Sequence, residues 1–326
     1  MRSASIILAT IALLLLAAGL IWLGQHPDPL PRTSANQPPA TKSVLRIGLV
    51  PERDIFQQRR AYRALANYLE PRLNCSIQLV TNNTYEGVLQ DFHDRQIDAA
   101  FLGSLVAVLA VDRDQAKVVL KSESVFEVST YAGVIFVTQD SPIRTLSDLR
   151  GKTVGGVPTT TAGAVFPVFL ITGSGIPQTD RPRLVWTGTH DDVIREVVAG
   201  HVDAGAVKDL RLDSFEKEHP GTSFRRIASS PRVPDNALVI RNDMPADLES
   251  GLIRALLAMN EDKSGGGPEI LAQLGFGRFL PASLAEYAGL YDMLDAIGAE
   301  WPAMKVAGPR PLRPAGIAPT AVPRER

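Results

Sequence analysis

The 326-residue chain contains one cysteine, Cys75. A lone thiol excludes an internal disulfide framework and any zinc cluster built on cysteines. Aromatic residues make up 6%, too few for stacked-base or carbohydrate platforms to dominate. Excess charge is missing as well: Lys and Arg number 34, Asp and Glu 35. Phosphate-backbone binding needs a basic face, so no nucleic-acid partner is expected. Catalytic signatures are also wanting. There is no G-x-S-x-G elbow, no H-E-x-x-H pair and no G-x-x-x-x-G-K-[ST] loop. His93, His190 and His201 are spaced too far apart to read as a metal set. The chain is therefore read as a non-enzyme with no cofactor and no metal. The rest is ordinary globular composition, with 45% apolar and 21% charged residues. The length suits about two domains.

Residues Ala4 to Gly24 carry no charge, and Arg2 precedes them. About 20 apolar residues cross a hydrocarbon core as a helix. A cleaved signal peptide needs a shorter core and a small-residue exit. Ala17-Ala18-Gly19 could serve, but the apolar run continues to Leu23. The segment 1–24 reads as a membrane anchor or a signal segment, the anchor fitting its length better. Either reading, with Arg2 on the cytoplasmic side, puts the remainder outside the cytoplasm. Residues 25–43 hold five prolines and no apolar periodicity, which predicts a disordered linker. Residues 307–326, with five prolines and four arginines, predict a disordered tail.

Between them, short branched apolar runs alternate with helical spacing. Val44–Val50, Ser76–Val80, Ile97–Leu102, Val118–Lys121, Tyr131–Val137, Thr153–Val157, Leu184–Thr187 and Val202–Val207 read as strands. Arg60–Leu73, Tyr85–Arg95, Leu105–Val111, Ala162–Leu170 and Asp191–Ala199 read as helices. Such alternation predicts an α/β protein with mostly parallel sheets flanked by helices. Ligands of open α/β sheets bind beyond the carboxyl ends of strands. That selects the loops Pro51–Asp54, Thr81–Thr84, Gly103–Ser104, Pro158–Gly163 and Thr187–Asp191. Ser264–Gly267 (SGGG) reads as a flexible loop rather than a phosphate cradle.

One of these loops carries anion chemistry. Thr159-Thr160-Thr161 joins a strand to a helix start. Its hydroxyls can donate, the first helical N–H groups have no intrahelical acceptor, and the helix dipole is positive there. Simple N-capping by threonine is the competing reading. His190 opens the next strand-to-helix loop and offers an N–H donor; a dianion beside it favours the imidazolium. A surface histidine is the alternative there. Asp191 and Asp192 read as helix-capping acids.

These segments resemble, in order and spacing, the periplasmic phosphonate/phosphate/phosphite-binding proteins of ABC transporters. The resemblance is carried by RIGLVPERD (Arg46–Asp54), TYEGVLQDFHDRQIDAAFLGSLVAVLA (Thr84–Ala110), DLRGKTVGGVPTTTAG (Asp148–Gly163), GTHDDVIREVVAGHVDAGAV (Gly188–Val207) and PDNALVIRNDMP (Pro234–Pro245). It implies the two-lobed type II periplasmic binding fold. Residues 44–137 plus 235–306 would form lobe 1 and 138–234 lobe 2, with a hinge of two crossover strands near Val134–Val137 and Leu238–Arg241. The family grips phosphoryl oxygens with a hydroxyl triplet and a histidine, which carries over to Thr160, Thr161 and His190. Ala162 takes the third hydroxyl's place, and Ala107 stands where the family has tyrosine. Tyr85 matches, and Gly103 and Ser104 of the same segment are further ligand-binding candidates. Lys208 either pairs a second anionic group or lies on the surface. The implied function is an extracytoplasmic, monomeric receptor of a small oxyanion (phosphate, phosphite or phosphonate) for an ABC permease, anchored in the inner membrane by the N-terminal helix. The alternative is a membrane-tethered sensor reporting to a sensor kinase.

Overall fold

The structure is a computed structural model that describes residues 43–50, 55–113, 116–304, 306 and 308–320. The apolar run 1–24, the spacer up to residue 42, the loop Pro51–Asp54 and the last six residues of the tail lie outside the described residues.

The first layer is built from β1 (Val44–Leu49), α1 (Ile55–Leu73), β2 (Ser76–Thr81), α2 (Tyr85–His93), β3 (Ala99–Leu102), α3 (Ser104–Arg113) and β4 (Ala116–Glu123). The chain then crosses through β5 (Thr130–Tyr131) into β6 (Gly133–Thr138) and β7 (Thr153–Gly156). A π-helical turn, Thr161–Val165, leads into α4 (Phe166–Gly173), followed by β8 (Arg183–Trp186), α5 (His190–Val198), β9 (Ala204–Lys208), α6 (Asp209–Glu218) and β10 (Phe224–Ser229). It returns through β11 (Val233–Pro234) to β12 (Ala237–Arg241), α7 (Ala246–Leu257), α8 (Gly267–Leu274), β13 (Arg278–Pro281) and α9 (Ala288–Ile297).

The strand order is β13-β4-β12-β3-β1-β2 in one sheet and β10-β6-β9-β7-β8 in the other. Consecutive βαβ units pair in parallel, β1 with β2 and β3, and β7 with β8 and β9. β12 and β13, which return from late in the chain, pair antiparallel with their neighbours, as does β6 with β9 and β10. Each sheet is therefore mixed, with most strands running one way. The alternation in β1 explains its seat: Leu45, Ile47 and Leu49 share an apolar cluster with Leu65, Ala66 and Leu69 of α1 and with the buried Cys75.

The crossover differs from expectation. Gly133–Val137 belongs to the second sheet, where Ile135 and Val137 are fully buried with Val154 and Ala204. Leu238–Arg241 lies in the middle of the first sheet, between β3 and β4. The two crossover strands of the hinge are β5 and β11, which pair antiparallel with Tyr131 opposite Val233 and Thr130 opposite Pro234. The end of the chain also departs from the expected division. α9 packs on α4 of the second lobe, and Glu300 takes an ion pair from Arg181 of that lobe at 3.0 Å. Apolar Leu290 and Leu294 find their cluster there with Val165 and Phe166.

Residues 308–320 are docked rather than disordered. Arg313 Nη2 meets Asp292 Oδ1 at 2.5 Å and Asp295 Oδ2 at 3.0 Å, and Trp301 Nε1 donates to the Gly308 carbonyl at 3.0 Å. Proline stiffness lowered the entropic cost of fixing this segment, and the arginines supplied partners.

The Ser264–Gly267 loop is likewise pinned. Asp262 accepts from the Gly265 N–H (2.8 Å), Ser264 Oγ (3.0 Å), Arg72 Nη2 (2.5 Å) and Tyr68 Oη (3.1 Å). The Gly265 N–H first, then Arg72, holds its carboxyl down from 3.8 to about 2. A carboxyl depressed by folding adds stability above its unfolded value and loses it as pH falls through the folded value. Acid titration of unfolding should therefore show Asp262→Asn flattening the pH dependence between about 4 and 2; an unchanged slope would assign the acid sensitivity elsewhere.

Candidate functional site

Two helix N-termini meet between the lobes. α3 starts at Ser104, directly beyond β3, and the π-helical turn starts at Thr161, beyond β7. The Leu105 N–H donates to Thr161 Oγ1 at 2.7 Å, lobe to lobe. Each terminus carries about half a positive charge, and its first N–H groups have no intrahelical acceptor. A π turn at a binding loop spreads the backbone of its first residues. Its approach to β7 requires glycine: a Cβ on Gly156 would stand 2.2 Å from the Gly163 carbonyl oxygen. Just before it, Thr159 is fully buried at φ 57°, and its hydroxyl has no hydrogen-bond partner among the described residues. A β-branched residue in that region is strained and holds the loop in one shape.

Tyr85, Gly103, Val106, Tyr131, Thr160, Thr161, Ala162, His190 and Lys208 line a cavity of about 10 Å³ here, room for about one water. The structure thus brings together all but one of the residues selected from the sequence, although their parts differ. Thr160 is a cap: its Oγ1 donates to the Val157 carbonyl at 2.8 Å and accepts from the Gly163 N–H at 3.1 Å. Its hydroxyl is committed, so the capping reading applies to Thr160, whereas Thr161 Oγ1 accepts the Leu105 N–H of the other lobe. Ala162 offers only its backbone. Ser104 does not line the cavity. Its single proton goes to the Pro234 carbonyl at 2.7 Å, so the Tyr131 hydroxyl, 3.1 Å away, donates to it. Ser104 thereby ties the start of α3 to both hinge strands.

His190 is buried as the first residue of α5. Thr189 and Asp192 form a reciprocal capping box before it. Asp191, expected as a cap, instead pairs with Arg211 at 2.5 and 2.9 Å. The Thr81–Thr84 loop contributes a cap rather than a ligand: Thr84 Oγ1 accepts from the Gly87 N–H at 3.0 Å, and α2 sets Tyr85 into the cavity wall.

Lys208 is not a surface residue. Its side chain is 13% exposed and pairs with Asp235 Oδ1 at 3.1 Å. It also donates to Asn236 Oδ1 at 2.9 Å and lies 4.7 Å over the Tyr131 ring. Burial pushes the Tyr131 phenol above its ordinary value, while the Lys208 ammonium pulls it back. The phenol stays protonated at neutral pH. Since Asp235 offsets Lys208, the site's surplus positive potential comes from the two helix termini. Sequence reasoning passed over Tyr131, Val106, Asp235 and Asn236. The Pro234-Asp235 start of a resembling strand was the only signal for the last two.

Among the described residues no cluster of three metal-ligating side chains occurs, and no helix is long and apolar enough to cross a membrane.

The phosphonates-binding periplasmic protein of Escherichia coli is 24% identical over 250 residues, covering 74% of this chain and 73% of that protein. A binding-protein component of an ABC phosphonate transporter from Pseudomonas aeruginosa superposes with a TM-score of 0.70 at 16% identity, over 81% of this chain and 95% of that one. A Prochlorococcus marinus protein in complex with methylphosphonate gives a TM-score of 0.70 at 18% identity, over 80% of this chain and 99% of that one. Both share the two-lobed α/β architecture. Residues 47–287 match the family described as ABC transporter, phosphonate, periplasmic substrate-binding protein, and the chain belongs to that family.

Proposed function

We propose that this chain captures a small phosphorus oxyanion (phosphate, phosphite or phosphonate) between its lobes and delivers it to an ABC permease. The observation that carries the reading is the Leu105–Thr161 contact, where two oppositely placed helix N-termini converge beside His190 and Lys208. Charge-matched N–H donors at a helix start are an anion site without further parts. A phosphoryl group is larger than the present space, so it enters with the lobes apart. Its oxygens then take over the Leu105 N–H, the N–H groups of Thr161 and Ala162, the Thr161 hydroxyl, and donors from His190 and Lys208. Because donors come from both lobes, only the closed form satisfies all of them, and binding drives closure. Family membership supports uptake over sensing. In this reading the receptor is monomeric and extracytoplasmic, held at the inner membrane by residues 1–24.

Calorimetry with methylphosphonate, phosphite, phosphate and sulfate tests it. Phosphorus oxyanions should bind and Gly103→Ala should block them. A Cβ at Gly103 meets nothing nearer than Asn236 Oδ1 at 3.9 Å, so that variant keeps its fold while a methyl group enters the cavity. Absence of binding by every phosphorus oxyanion would overturn the proposal.

A further inference from the structure

A second and larger cavity, of about 550 Å³, adjoins the first through His190 and Lys208, which line both. Resting on the phosphoryl reading above, we infer that it takes the carbon substituent of the ligand, and that the ligand is an organophosphonate with an extended, uncharged, apolar or aromatic substituent.

Three features carry this. The first is size. Cavities of roughly 300–1,000 Å³ suit molecules much larger than a one-carbon substituent. The second is lining. Tyr62, Val125, Phe126, Leu274 and Phe276 come from the first lobe, and Leu210 from the second. Phe126, at the tip of the turn after β4, is 68% exposed, and Val125 beside it is 57% exposed. Large exposed apolar side chains facing a cleft mark a contact surface. Lys217 of the second lobe lies 4.6 Å over the Phe126 ring, so this turn reaches across the cleft.

The third feature is charge. Two cations of the lining have acid partners, Lys208 with Asp235 and Arg211 with Asp191 and Glu218, while Lys217 lies over the Phe126 ring. The lining acid Asp213 pairs with Arg226. The lining acids are both paired with bases, which leaves neither free to recognise an amine, whereas burial of carbon is rewarded. At the usual worth of a buried methylene, affinity rises about fourfold per CH₂.

The experiment is calorimetry of the full chain with methyl-, butyl- and phenylphosphonate, repeated on Phe126→Ala. Phe126 is exposed, so its loss leaves the fold intact. The expected result is butyl- and phenylphosphonate binding at least tenfold tighter than methylphosphonate, with Phe126→Ala cutting that ratio several-fold and leaving methylphosphonate affinity unchanged. Methylphosphonate binding as tightly as the larger ligands, or a ratio untouched by Phe126→Ala, overturns the inference and leaves the phosphoryl reading standing. Failure of all three ligands while phosphate or phosphite binds overturns this inference alone; failure of those two as well removes the phosphoryl reading with it.

Discussion

Thr161→Ala should weaken methylphosphonate binding about 10–100-fold with little change in melting temperature. The hydroxyl joins the two lobes by accepting the Leu105 N–H at 2.7 Å, and in the bound form it meets a phosphoryl oxygen. A hydrogen bond to a charged group is worth roughly 1.5–3 kcal/mol, and each 1.4 kcal/mol is tenfold. His190→Ala should cost a similar factor, because its ring faces the same space from α5. Thr160→Ala provides the contrast. Thr160 caps the π-helical turn, so its loss should appear as about 0.5–2 kcal/mol of stability, with a smaller effect on affinity. Calorimetry paired with thermal melts separates the two threonines. Unchanged affinity in folded Thr161→Ala and His190→Ala would dismiss the clamp.

Lys208→Met should be costly in two ways. It removes a cation from the phosphoryl pocket, and it strands Asp235, whose side chain is only 15% exposed. Breaking one side of a largely buried pair costs about 3 kcal/mol, because the remaining charge is left uncompensated. Lys208→Met with Asp235→Asn removes both charges, so urea titration should show most of that stability restored. Affinity should stay about 10–100-fold down, because the phosphoryl group still lacks the hydrogen bond that the Lys208 ammonium donates. Equal stabilities for the single and double variants would show that the pair does not bear on folding, and normal affinity in the double variant would take Lys208 out of the site.

The sequence was most legible where structure is local. The βαβ units were readable because strand and helix periods show within ten residues, and a threonine run beside glycine at a helix start is anion chemistry in one place. Legibility failed where distant partners decide. Tyr131–Val137 reads as one strand, since its apolar run is unbroken. The chain splits it at Ala132, because Tyr131 pairs with Val233 and Val134 with Val207. Phe224–Ser229 went unread: its paired arginines look like a loop until Arg225 reaches the Ser141 and Ile143 carbonyls. The tail's prolines suggested disorder, and Asp292 and Asp295 on α9 show where Arg310 and Arg313 go. In the site, Tyr131 and Asn236 were missed for the same reason: both arrive through the hinge, whose pairing spans a hundred residues of chain.

The solitary thiol has a practical corollary. Cys75 is 1% exposed within the first lobe's apolar cluster, so maleimide dyes should leave the native chain unlabelled. Cysteines placed at Lys263 on the first lobe and Gln178 on the second, both exposed and outside the site, would be the only reactive pair. A donor and acceptor fluorophore there would turn each capture event into a change in transfer efficiency, giving an optical reporter built without deleting a native residue from the core.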